Sequence, residues 1–207
     1  MSGKCISCIF IVFLSVILPT ISRAQELTAD VVIHRGSEQT RGKLLRGKNA
    51  VRLELPEEGR GATTGTVVIY DQARQVTYFL NPAMKSYVER PGPAGGGIVG
   101  LFVPQKDNPC ALLPHVSKQG DCRQIGAEQV NGRSTEKWQA TQTRGGRTIT
   151  EYAWVDSELH IAIKWQTIDQ VTGQLDNIHV VSQPASLFAP PSDYRKLEMP
   201  ARAPSSD

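Results

Sequence analysis

The residues of this 207-residue chain best equipped for chemistry are its cysteines, histidines and tryptophans, and their spacing limits what they can do. Cys110 and Cys122 are not a C-x-x-C redox or metal motif, and only His115 lies between them as a further soft ligand. In an exported chain one such pair reads as a single structural disulfide, worth at most ~3 kcal/mol through the loop it closes. His34, His115, His160 and His179 are scattered. His160 and His179 fall on strands that can neighbour each other, the one place for a shared metal, but two surface imidazoles are far more often just that. The chain has no G-x-S-x-G and no H-E-x-x-H. Gly36 to Lys43 mimics a phosphate loop, yet five residues separate its glycines and Leu44 stands where Ser or Thr would bind magnesium. No acidic pair sits in an apolar setting as acid and base. The chain therefore reads as non-enzymatic, with no cofactor and no metal. Trp138, Trp154 and Trp165 fall on adjacent strands, where they form core or, with the same residues, a cavity wall.

The elements that must position these residues begin after a leader. Lys4 gives a positive start, residues 8–18 are an apolar run, Pro19 ends it, and Ser22-Arg23-Ala24 fits a small-x-small cleavage site. Residues 1–24 are expected to be a signal peptide cut after Ala24, and the protein to work in the periplasm. The rival, an uncleaved anchor, needs about 20 apolar residues, more than residues 5–22 offer. Neither Cys5 nor Cys8 lies where lipoprotein processing would use it. Cleavage leaves 183 residues, enough for one domain, with 21 basic against 20 acidic residues and a net charge of +1. A nearly neutral chain without a basic run argues against nucleic acid as partner.

Residues 25–199 read as one domain of short antiparallel strands. Turn chemistry recurs about every ten residues: Arg35-Gly36-Ser37, Arg46-Gly47-Lys48-Asn49, residues 56–61, Asp71-Gln72-Ala73-Arg74, Asn81-Pro82 and Val171-Thr172-Gly173. That is an all-β signature. Residues 126–165 read as three strands joined by turns at Arg144-Gly145-Gly146-Arg147 and Asp156-Ser157-Glu158. In the third, Leu159, Ile161, Ile163 and Trp165 alternate with His160, Ala162, Lys164 and Gln166, giving one apolar face. Other strands are apolar on both faces: Val67 and Ile69 oppose Val68 and Tyr70. Such strands are covered on both sides, or one face lines a greasy cavity. Composition alone favours a sandwich or a filled barrel.

Residues 91–119 interrupt the rhythm as an insert. Gly95, Gly96 and Gly97 form a hinge ahead of the apolar cluster Ile98, Val99, Leu101, Phe102 and Val103. Asn108-Pro109 looks like a capped helix start, with Leu112, Leu113 and Val116 on its apolar side and Pro114 keeping it short. The disulfide would clip this insert to the strand carrying Cys122. Residues 184–197 offer a short apolar turn at Ser186-Leu187-Phe188 and a last edge contact from Tyr194 onward. The tail 200–207 reads as disordered.

Several short motifs resemble one family. Asp71, Tyr78-Phe79-Leu80-Asn81-Pro82, Lys85 and Tyr87 look like the strand, Pro turn and Lys-x-Tyr hairpin of the periplasmic lipoprotein-localisation carriers of the LolA and LolB type. Gly126 to Arg133 with Lys137-Trp138 resembles the strand pair after the cysteine in their exported relatives, and Trp154-Val155-Asp156 with Leu159 and Ile161 to Lys164 is similar to their next hairpin. Pro184 to Phe188 with Pro191 and Tyr194 resembles their ending. The match covers most of the mature chain. The resemblance implies a strongly curved, incomplete antiparallel β-barrel, mainly β, whose concave face is covered by short helices over a cavity for acyl chains. The insert falls where that cover is expected, but its helices are short, broken by proline and tethered by the cysteines.

The expected function is a periplasmic binding protein for a lipid, a lipoprotein acyl chain or another hydrophobic ligand, acting as carrier or sensor. Ile98, Leu101, Phe102, Leu112 and Leu113 would meet the ligand from the insert, and Trp138, Ile161, Ile163 and Trp165 from the sheet. Its partners would be that ligand and an envelope protein, with peripheral membrane contact. The alternative is a filled-core interaction protein whose insert plugs the half-barrel and whose sheet edge meets a partner. An apolar space of roughly 300 Å³ or more separates the two.

Overall fold

The structure, a computed structural model, describes residues 25–56, 65–93, 98–116 and 120–198. The expected leader 1–24, the hinge Gly95, Gly96 and Gly97, and the tail 200–207 lie outside the described residues. Twelve strands are found among the described residues: β1 (Leu27–Arg35), β2 (Glu38–Arg46), β3 (Ala50–Leu55), β4 (Thr66–Asp71), β5 (Val76–Asn81), β6 (Ser86–Pro91), β7 (Asp121–Val130), β8 (Arg133–Arg144), β9 (Arg147–Asp156), β10 (Ala162–Gln166), β11 (Thr172–Val180) and β12 (Arg195–Lys196). They form one sheet in the order β12-β6-β5-β4-β3-β2-β1-β11-β10-β9-β8-β7. Two antiparallel meanders thus meet where β1 pairs β11. Only β12 runs parallel to its neighbour, β6. β7 and β12 end the order without pairing each other, so the sheet is a curved, incomplete barrel.

Turn chemistry sets the register. Gly145 and Gly146 both have positive φ (57° and 75°), as a two-residue hairpin between right-twisted strands requires. Asn131 and Gly132 do the same at 50° and 76°. This second hairpin corrects the expectation of three strands over residues 126–165: the stretch holds the end of β7, all of β8 and β9, and β10 as far as Trp165.

The alternation expected from Leu159 to Gln166 also fails at its start. The Asp156 carboxylate accepts the N–H groups of Glu158 and Leu159, at 2.9 and 2.8 Å, and prolongs the turn. His160 has φ +54°, so β10 begins only at Ala162 and bulges before Lys164. Leu159, Ile161, Ala162, Ile163 and Trp165 are consequently all buried. Thr172-Gly173 proves to be strand, not turn. The helix expected at Asn108-Pro109 is one 3₁₀ turn, Pro109–Leu112, and Asn108 makes no side-chain cap.

The insert links β6, beside one edge, to β7 at the other, so it must cross the concave face. It does so through two 3₁₀ turns, Ile98–Phe102 and Pro109–Leu112. Val99, Leu101, Phe102, Leu112 and Leu113 join Leu27, Val31, Leu44, Val51, Leu53 and Leu175 of the sheet in one core. The Cys110–Cys122 disulfide fastens the insert to β7. On the convex face a smaller core of Val67, Ile69, Tyr78 and Leu80 lies beneath Phe188 and Tyr194 of the C-terminal segment. That cover explains why β4 is apolar on both faces: Tyr70 and Val68 pack inward, Val67 and Ile69 outward.

Candidate functional site

The concave core stops short of one end of the half-barrel. The last turns of β1 and β3, the start of β2 and β4, and the end of β10 there leave a cleft of about 760 Å³ facing the insert. Ile33, Leu55, Ile98, Leu101, Trp165 and Ile168 make its apolar wall, and Thr40, Thr66, Thr167, Arg35 and His115 add polar groups. No carboxylate is among the described residues that line it.

Two strand glycines lie beneath large side chains of the cleft wall. A Cβ on Gly173 would come within 2.2 Å of the Trp165 indole, which lies across that position. A Cβ on Gly42 would come within 2.6 Å of the Leu55 side chain. Both large side chains can lie against the sheet only because the backbone beneath them carries no Cβ. Behind Trp165, Phe102 meets it edge-on with ring centroids 5.6 Å apart.

The polar corner of the cleft is built around Glu151 of β9, whose side chain is 0% exposed. Its Oε2 accepts the His115 backbone N–H at 3.1 Å. Its Oε1 is 2.6 Å from His115 Nδ1 and accepts the Ile168 N–H at 3.3 Å. One carboxylate thus ties the end of the insert to the β10–β11 connection, and both segments line the cleft. The His115 side chain keeps 41% exposure.

The opposite end of the concave face is closed. Arg46 is buried and its Nη1 donates to the Leu159 carbonyl at 3.2 Å. Burial pulls its pKa down to about 10, and Asp156 works the other way. Asp156 binds Arg133 through both carboxylate oxygens. Burial alone would raise the Asp156 pKa, but Arg133 and the N–H groups of Leu159 and Glu158 outweigh it and hold the carboxyl below its ordinary value.

Of the residues expected to meet a ligand, Ile98, Leu101 and Trp165 line the cleft together. Phe102, Leu112, Leu113, Ile161 and Ile163 lie in the packed core below it. Trp138 is half-buried beside that core, its indole N–H donating to Glu136 at 3.2 Å. Trp154 belongs to the other face of the sheet, between the ammonium groups of Lys137 and Lys164 at 4.6 and 4.4 Å. His160 sits in a turn and His179 on β11 opposite Thr28. Among the described residues no group of three His, Cys, Asp or Glu side chains could hold a metal ion. Sequence reasoning missed Glu151, Gly42 and Gly173, and weighed His115 only as a metal ligand beside the cysteines. The glycines carried a signal, since glycine inside a strand marks a close approach; Glu151 carried none.

A second depression of about 470 Å³ lies between the β2–β3 turn and the C-terminal segment. Glu26, Lys48 and Asp71 line it, so it lacks a continuous apolar wall.

No protein-family model and no curated protein matches the chain. Solved structures similar to it include the MucA/MucB complex of Pseudomonas aeruginosa (13% identity, TM-score 0.49, covering 86% of this chain and 60% of that one). Another is PNGF-II (8% identity, TM-score 0.50, 86% and 31%). A LolA superfamily protein from Nitrosomonas europaea is also among them (8% identity, TM-score 0.38, 80% and 90%). The chain thus spans about 60% of the MucB chains it matches. At these identities the likeness is one of fold.

Proposed function

We propose that this chain is an exported binding protein of the cell envelope that takes a lipid, a lipoprotein acyl chain or another hydrophobic molecule into the cleft, as carrier or sensor. The reading takes residues 1–24 as a cleaved leader, residues 25–199 as one domain and the periplasm as the site of action. It takes the protein as non-enzymatic, working with an envelope partner that delivers or receives the ligand.

The observation that carries it is the cleft itself. Its volume of about 760 Å³ lies within the ~300–1,000 Å³ of small-molecule sites. Its apolar wall would be covered by an alkyl chain, and burying on the order of 200 Å² of it stabilises a complex by roughly 5 kcal/mol before ordering costs. The sequence resemblance to lipoprotein carriers supports the same reading. One observation favours the filled-core alternative: Phe102 and Leu112 are almost completely buried, so much of the concave face is plugged by the insert.

Native mass spectrometry of the protein purified from the periplasm, followed by lipid extraction, separates the two. The binding reading predicts a co-purifying lipid or acylated peptide that is lost in Ile98→Asp, a half-buried cleft position, with an unchanged melting temperature. A clean mass together with no uptake of a fluorescent fatty acid assigns the chain to the interaction-protein class.

A further inference from the structure

We propose that the cleft selects an anionic amphiphile, an alkyl chain ending in a carboxylate or a phosphate, and that His115 backed by Glu151 holds the headgroup. The inference rests on the reading of the cleft as a hydrophobic-ligand site. Both oxygens of Glu151 are engaged by N–H donors, those of His115 and Ile168. The ring atom 2.6 Å from Oε1 is Nδ1. With Glu151 accepting here as it does from the two backbone N–H groups, Nδ1 is the donor of this contact. The other ring nitrogen, Nε2, lies across the ring from Glu151, and His115 lines the cleft with its side chain 41% exposed. An imidazole whose tautomer and orientation are fixed from behind is a built polar anchor in an otherwise apolar wall.

Three headgroup types compete for that anchor. A plain hydrocarbon would cover Nε2 and leave it unpaired, which disfavours it. An alcohol can give Nε2 one neutral hydrogen bond. An anionic oxygen only accepts, so in the proposed complex both ring nitrogens donate, Nδ1 to Glu151 and Nε2 to the ligand. Each bond is then charge-assisted and about twice as strong as a neutral one. The surroundings favour that outcome. Arg35 also lines the cleft, and no carboxylate is among the described residues that line it to repel an anion. Glu151 stands behind the ring and balances the charge formed there. Ile33, Leu55, Ile98, Leu101 and Trp165 would take the alkyl chain.

Calorimetric titration of the mature protein tests this with four ligands: a long-chain fatty acid, the monoacylglycerol phosphate and the fatty alcohol of the same chain, and inorganic phosphate. The expected result is that one anionic amphiphile binds about tenfold or more tighter than the alcohol, with no measurable binding of phosphate alone. The better of the two anionic amphiphiles identifies the source, free acid or phospholipid. His115→Asn keeps an N–H donor near the Nδ1 position for Glu151 but removes Nε2. It should bring the anion-to-alcohol ratio close to one at an unchanged melting temperature, and His115→Gln is the second variant if the first does not fold. Equal binding of alcohol and anions, or a ratio that survives both substitutions, overturns the headgroup assignment and leaves the cleft reading standing. Phosphate binding as tightly as the amphiphiles overturns the amphiphile. If no amphiphile binds, the cleft reading falls as well.

Discussion

Replacing Gly173 with alanine is the sharpest test of how Trp165 is seated in the cleft wall. Gly173 lies in β11 between Trp165 of β10 and Ile33 of β1. Its missing Cβ would stand 2.2 Å from Cζ2, 2.5 Å from Cε2 and 2.9 Å from Cη2 of the Trp165 indole. Carbon atoms pack at about 3.5–4.0 Å, so the ring must shift by about 1.3 Å. Phe102, fully buried, blocks one direction, and the open space beside the ring is the cleft. Overpacking of this kind costs about 1–3 kcal/mol. In a chain of this size each kcal/mol lowers the melting temperature by about 2–4 °C, so a fall of about 2–12 °C is expected. Thermal unfolding followed by circular dichroism reads it, and tryptophan fluorescence reports the displaced ring. Gly126→Ala is the control, because a Cβ there meets nothing within 4 Å. If Gly173→Ala melts with wild type and the control, Trp165 does not lie over Gly173 and this part of the cleft wall is wrongly placed.

Replacing Cys110 and Cys122 together by serine should lower stability by about 2–3 kcal/mol in urea unfolding, because the loop they close is short; reduced wild type should match it. Glu151→Leu takes the acceptor from the part-buried backbone N–H groups of His115 and Ile168 and should cost about 1–3 kcal/mol in the same assay, with Glu151→Gln milder. Asp156→Asn should cost about 1.5–3 kcal/mol at neutral pH. Because the folded Asp156 pKa is depressed, its contribution is present above the unfolded value of about 4 and is lost as pH falls through the folded one. The gap between wild type and Asp156→Asn should therefore close in unfolding curves taken progressively below pH ~4; a constant gap would show that Arg133 and the turn N–H groups do not hold the charge.

Much of the sheet was legible because its information is local. Gly36-Ser37, Gly145-Gly146 and Asp71 to Arg74 mark turns by their own chemistry, and the strands between them follow. The Asn131-Gly132 hairpin carries an equally local signal, since both residues take positive φ. The start of β10 was not local: Asp156 prolongs the turn by capping Leu159, and periodicity cannot show a side chain folding back on the backbone. Two-sided apolarity in β4 was legible as burial, but not as a choice between cavity and cover, since Phe188 and Tyr194 arrive from more than a hundred residues away. The candidate site was legible in its greasy half. Ile98, Leu101 and Trp165 announced themselves by composition, and Phe102 and Leu112 did so equally, although they lie beneath the cleft in the core. Its polar half was not, because Glu151 and His115 look like any strand glutamate and loop histidine until the insert crosses the sheet and joins them.

The most direct test of the central claim is photo-crosslinking of the mature protein with a long-chain fatty acid carrying a diazirine on its chain, followed by peptide mapping. The account predicts label on the segments that wall the cleft, within residues 33–40, 98–101 and 165–171, and competition by unlabelled fatty acid. Label confined to the C-terminal segment around Phe188, or label that no competitor removes, would contradict it.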